Sequence, residues 1–245
     1  MNFLNELNDF LFFSYFGIDP KLCGDSEKTT KAVIECARID ASRHVHSFGD
    51  NNVDLVNRMN DSVNELRGLY SEHFDNKQFD QWHYGVYVSL KQEDETITYG
   101  IAQKWINMTL KYLWLIGDED ITKIKSSLHV PVDRYILMAA APSKQRKDKY
   151  DNVPYLDIQL PRKKDRNNLK QNGDECAKYI NYDGIELSGP LGCYSEGATI
   201  PWSQWGFKEY AWFQKCVREA IGENQTPIEW ESKAWIKQAI VEGNK

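Results

Sequence analysis

Two ionisable residues stand at the openings of apolar segments. Asp133 follows Pro131-Val132 and precedes the run RYILMAAA, and Lys104 closes the stretch Gly100-Ile101-Ala102-Gln103-Lys104, 29 positions earlier. A carboxylate at a helix N-terminus is favoured in its ionised form by the helix dipole and the free amides of the first turn. Pro131 stiffens the approach to it. An anion so placed can stabilise positive charge that develops on a substrate and can orient a water. A lysine in the same cleft acts as a nucleophile where burial lowers its pKa, and otherwise stays charged and contacts phosphate. Asp133 also has a plainer role open to it, capping the helix that follows. Lys104 can equally be a surface lysine.

The elements that must position this pair are helical in pattern. Residues 27–47 make one candidate helix, and residues 51–74 a clearer one, with Val53, Val56, Met59, Val63, Leu66 and Tyr70 recurring at spacings of three and four. YGVYVSL at 84–90 reads as strand or helix. After a turn at Gly100, Ile101, Trp105, Met108, Tyr112 and Leu115 fall on one helical face, and Gly117 can end that helix. A short helix over ITKIKSSL follows, then HVPVD, then the helix opened by Asp133 and stopped by Pro142. The segment between Lys104 and Asp133 folds back, so both residues can face one cleft. YLDIQL at 155–160 alternates as a strand does, and residues 143–199, rich in Gly and Ser toward their end, predict an irregular insertion with a short hairpin. Helical patterning returns after Ile200. Thr226 and Glu229 form a capping box with Pro227 at the first helical position. The expected architecture is mainly α. It is one domain over 1–245, with its first and last helices packed together and a β-containing insertion at 143–199.

Composition narrows the classes. The 245 residues are enough for a sizeable core, and eight Trp with thirteen Tyr suit both a core and stacking on planar ligands. The five cysteines are odd in number and form no C-x-x-C, which predicts a reducing, cytoplasmic setting without a disulfide framework. The apolar start, MNFLNELNDFLFF, lacks a basic leader and is interrupted by Glu6 and Asp9, so it reads as a core helix. The net charge of −6 argues against a general affinity for polyanions, but residues 143–170 hold nine Lys/Arg against four Asp. That basic segment is either a solvated loop or a nucleic-acid contact.

No Walker-type loop, strand-linked G-x-G-x-x-G, H-E-x-x-H or G-x-S-x-G is present. His44 and His46 have a loose metal-ligand spacing and otherwise read as helix-surface residues. No cofactor is expected.

GIAQKWINM followed by VPVDRYIL resembles the core of the helix-hairpin-helix DNA glycosylases. In that family a glycine-containing hairpin leads into a helix carrying the catalytic lysine, and a P-V-D-type motif supplies the aspartate. The likeness covers residues 99–140. VPVD matches the oxoguanine-type branch, and the long lysine-to-aspartate interval is closer to the archaeal variant. Ala102 stands where the family has a second glycine. A narrower likeness is to the phage-defence glycosylases that remove glucosylated hydroxymethylcytosine, which are helical proteins of similar size.

The resemblance implies a DNA N-glycosylase that leaves an abasic site, with Asp133 and Lys104 as catalytic residues. Gln103, Trp105, Trp202, Ser203 and Trp205 become expected contacts for a flipped base. Gly100, Lys144, Arg146, Lys147, Arg162, Lys163 and Lys164 become expected contacts to duplex DNA, including modified phage DNA. The alternative is a non-catalytic helical module that binds nucleic acid or protein. For the tryptophans it is a place in the core.

Overall fold

Among the described residues six helices lead up to the Asp133 segment, and side-chain caps open three of them. The computed structural model describes residues 3–20, 26–42, 53–69, 74–158, 160, 200–223 and 225–243. Helix α1 spans Phe3–Phe16, α2 Ser26–Ser42 and α3 Val53–Leu69. In α3 the buried stripe runs through Leu55, Met59, Val63 and Leu66, while Val53 is exposed. Helix α4 covers Asn76–Glu93, which resolves YGVYVSL as helix. Asp75 and Gln78 close a capping box at its start, which commits the chain to helix before the β-branched residues are reached.

Helix α5, Tyr99–Leu115, is the centre of the molecule. Thr98 caps it, accepting from the Ile101 amide, so Gly100 lies inside the first turn rather than in a turn before it. Gly117, at φ +85°, carries the chain out of the helix. Helix α6, Glu119–Lys123, is capped by Asp118. Helices α7, Arg134–Ala140, and α8, Lys144–Lys149, follow, capped by Asp133 and Ser143. Beyond the insertion lie a 3-10 turn, Trp202–Gln204, and helices α9, Phe207–Ile221, and α10, Pro227–Gly243. The fold is mainly helical, and no strand occurs among the described residues.

Two apolar clusters meet at α5. One is built from α2 to α6 around Ile34, Met59, Phe79, Trp105 and Ile106. The other joins Val130, Val132, Ile136 and Leu137 to Trp205, Tyr210, Phe213 and Trp230. α5 is therefore buried on nearly every face, and its polar residues Gln103, Lys104, Asn107 and Lys111 are buried with it.

Three expectations change. α1 is not a core helix: Phe10, Leu11 and Phe13 are exposed, and the helix lies on α2. The last helix packs on α7 rather than on the first, because its buried stripe faces the Asp133 segment. The alternation of YLDIQL serves a helix end and no sheet: the Leu156 and Ile158 amides donate to the Ala139 and Ala140 carbonyls, which α7 leaves free. The predicted hairpin lies outside the described residues. No described helix is long and apolar enough to cross a membrane.

Candidate active site

Asp133 caps α7 in extended backbone, and its Oδ1 accepts from the Ile136 amide at 3.0 Å. Its other oxygen faces two donors. The indole N–H of Trp235, on α10, donates to Oδ2 at 3.1 Å, and Lys104 Nζ stands 3.7 Å from the same atom. The side chains of Lys104 and Asp133 are 8% and 16% exposed, so the ion pair is sheltered but still touches solvent. The Lys104 ammonium also lies 5.0 Å from the ring centre of Trp202, a cation–π contact. The lysine, the aspartate and two indoles therefore converge, drawn from α5, α7, the 3-10 turn and α10.

The segment before Asp133 has no regular structure, yet its peptide groups are bonded by carboxamides. Gln214 accepts from the Val130 amide at 2.9 Å and donates to the Val130 carbonyl at 2.8 Å. Gln103 does the same for Val132, at 3.1 and 3.2 Å, and also donates to the Gly100 carbonyl. The intervening Pro131 has no N–H to satisfy. Two buried glutamines thus replace the neighbouring strand that a sheet would supply.

Behind the clamps lies a polar seam between the two clusters. The Asn107 amide donates to Tyr210 Oη at 2.8 Å and to Gln103 Oε1 at 3.1 Å. Tyr210 Oη pairs with His129 Nδ1 at 2.7 Å, and His129 Nε2 pairs with Asp80, which Arg218 also holds. His83 spans Tyr99 and Asn107. Neutral imidazoles satisfy every one of these contacts: each ring donates through Nε2–H and accepts a tyrosine hydroxyl at Nδ1. Burial holds His129 down at about 4 even though Asp80 opposes the shift. It holds His83 well below the usual histidine range.

A second ion pair lies two turns along α5 from Lys104. Lys111 Nζ is 2.6 Å from Glu231 Oε2, with the two side chains 11% and 1% exposed. Burial pushes the Glu231 carboxyl up, Lys111 opposes that, and the charge of Asp133 adds to it. Two lysines on one face of α5 thus meet two carboxylates, one on α7 and one on α10.

The other expected site residues scatter. Trp105 is one position on from Lys104, about 100° around the helix. It is fully buried and donates to the Ile34 carbonyl at 3.0 Å, so it fills the core. Trp205 is likewise buried, donating to the Ile200 carbonyl at 2.9 Å. Gln103 is 1% exposed and committed to Val132. Ser203 offers its carbonyl to the Thr98 hydroxyl at 2.7 Å. The Gly100 amide donates to the Trp205 carbonyl at 3.0 Å, and a Cβ on Gly100 would stand 2.1 Å from the Trp202 carbonyl oxygen. Glycine is needed there for close packing of two backbones, and its amide is not free for a phosphate.

On α8, Arg146 is paired with Glu242 and Lys147 with Asp157, while Lys144 is exposed. Arg162, Lys163, Lys164, His44 and His46 lie outside the described residues. No group of metal-ligating side chains occurs among the described residues. Trp235, Gln214 and Glu231 belong to the site but carry no motif. The only signal for Trp235 was its place one turn beyond Glu231 on the helix of the Thr226 capping box.

Compared with protein-family models, curated proteins and solved structures, the chain matches none.

Proposed function

We propose that this chain is a DNA N-glycosylase of the helix-hairpin-helix type, acting on a modified or damaged base flipped out of duplex DNA. The observation that carries the reading is the approach of Lys104 Nζ to 3.7 Å from Asp133 Oδ2 beneath the Trp202 ring. Residues 29 apart, singled out for their chemistry, meet at one sheltered point.

Breaking the glycosidic bond builds positive charge on the sugar, and the Asp133 carboxylate offsets it and orients water. The cap and the indole preorganise that carboxylate before substrate arrives. Lys104 either attacks C1′, forming a Schiff base, or contacts the backbone phosphate. Trp202 offers a face against which an extruded base can stack. The exposed Lys144 leaves a point of positive charge for the duplex.

The test is formation of abasic sites on a panel of plain, oxidised and phage-modified DNAs, with Asp133→Asn as the control. Borohydride trapping of a protein–DNA adduct, absent in Lys104→Met, separates the nucleophile from a phosphate contact. Abasic sites formed equally by wild type and Asp133→Asn would remove the aspartate from the chemistry.

One observation favours a second reading, a non-catalytic binding module: the Gly100 amide, which the glycosylase family turns toward DNA, is bonded to Trp205. On that reading the Lys104–Asp133 pair is structural, and Asp133→Asn leaves DNA or protein binding unchanged.

A further inference from the structure

Asp133 has two carboxylate oxygens and three donors around them. Oδ1 is held by the Ile136 amide. Oδ2 is shared unequally, at 3.1 Å from the Trp235 indole nitrogen and 3.7 Å from Lys104. The first distance is a hydrogen bond. The second is too long for one, since a charge-assisted N–H···O contact closes at about 2.7–2.9 Å. The cation thus stands off while the neutral indole makes the direct bond.

Trp235 is braced to do this. Its ring meets Tyr135, two residues into the segment Asp133 caps, edge to face at 5.7 Å. Glu231, one turn earlier on α10, is fixed by Lys111. Glu231 also lies near Asp133, and its own cation is Lys111.

We propose that Trp235 is a positioning residue of the site: its indole N–H holds Asp133 Oδ2 short of a direct hydrogen bond to Lys104, which leaves the amine available to a substrate. This rests on Lys104 and Asp133 being the working pair proposed above. A lysine bonded directly to the carboxylate has its protons committed there, and attack on C1′ needs the nitrogen lone pair. A modest donor that competes for Oδ2 keeps the two groups adjacent without locking them together.

Trp235→Phe keeps an aromatic ring beside Tyr135 and removes the indole N–H. The first arm uses no DNA. The folded protein is methylated with formaldehyde and cyanoborohydride, and the Lys104 peptide is followed by mass spectrometry. Labelling of Lys104 falls about tenfold in the variant, the size expected for one hydrogen bond to a charged group. Labelling of the exposed Lys144 stays the same, and adding Asp133→Asn restores Lys104. Equal or faster Lys104 labelling in Trp235→Phe overturns the inference, and so does a Lys104 that fails to label in the wild type.

The second arm uses whichever DNA the wild type cleaves. There kcat falls about tenfold with KM within about twofold. An unchanged kcat overturns the role of Trp235 and leaves the glycosylase reading standing. A wild type inactive on every DNA sinks that reading, while the labelling arm still decides what Trp235 does.

Discussion

Gln103 holds Val132 by both its amide and its carbonyl, and each of the two residues immediately precedes a member of the ion pair. The clamp therefore sets where Lys104 stands relative to Asp133. Gln103→Leu keeps the volume and leaves both Val132 groups and one Asn107 donor without their partner. It is expected to cost about 3 kcal/mol, on the scale of leaving buried polar groups unmet. Urea denaturation midpoints measure it.

Asp133 separates capping from chemistry. Asparagine caps a helix about as well as aspartate, so the stability lost in Asp133→Asn comes from the sheltered Lys104 pair and is expected to be up to about 3 kcal/mol. On the proposed glycosylase reading, base release should fall about 100-fold or more, since the anion opposite the developing charge is gone. Denaturation and abasic-site assays on the same sample read the two effects side by side.

Gly100 and Gly85 make a contrasting pair. A methyl on Gly100 collides with the Trp202 and Ser203 backbone, whereas a methyl on Gly85, within α4, meets nothing within 4 Å. Gly100→Ala is expected to destabilise by about 3 kcal/mol. Gly85→Ala should stabilise by up to about 1 kcal/mol through helix propensity alone. Thermal melts of the two variants should move in opposite directions.

The buried imidazoles make stability acid-sensitive. His129 is held down at about 4, and His83 is also lowered, from an unfolded value near 6.5. As pH falls from 6.5 toward 4, the unfolded chain takes up protons that the native state refuses. Stability contributed by both groups is thus full above pH 6.5 and is lost through that window, by up to about 1.4 kcal/mol per pH unit for each histidine. Melting temperatures between pH 7.5 and 4.5 should decline. A flat profile would mean that both rings take up protons in the folded protein as readily as in the unfolded chain.

Lys111 and Glu231 should be costly to separate and cheap to replace together. Glu231→Gln leaves a buried ammonium without its anion, at a cost of about 3–5 kcal/mol. Lys111→Met combined with Glu231→Leu should recover most of that. A double-mutant cycle in urea gives the coupling.

Much of the positioning machinery could be read before the coordinates. The three-and-four spacing of Ile101, Trp105, Met108, Tyr112 and Leu115 marked α5, the capping box at Thr226 and Glu229 marked α10, and Asp133 before an apolar run marked the start of α7. These are local signals, carried within one or two helical turns. What stayed hidden depends on partners distant in the chain. Gln214 looks like any helical glutamine until Val130 lies against it. Trp235 sits at a half-exposed position whose meaning comes only from an oxygen 102 residues away. Trp105, beside the lysine in sequence, was misleading for the same reason, because neighbours on a helix point about 100° apart. Glycine at 100 suggested a turn, yet the backbone conformation needs none there, and the steric need comes from residues 202 and 203.

The packing of Gly100 against the Trp202–Ser203 backbone has a bearing on how the protein is made. The bond from Thr98 to Ser203 closes a loop of 105 residues, and the candidate site also needs Trp235, 131 positions after Lys104. Contacts of such separation form late, because the entropy of closing the loop must be met first. Trp202 is made 98 residues after Lys104 and Trp235 131 residues after it, so a ribosome-bound chain carries Lys104 well before either indole is in place. The working arrangement assembles only when α10 docks, so a truncated product that folds its first cluster would have no assembled site.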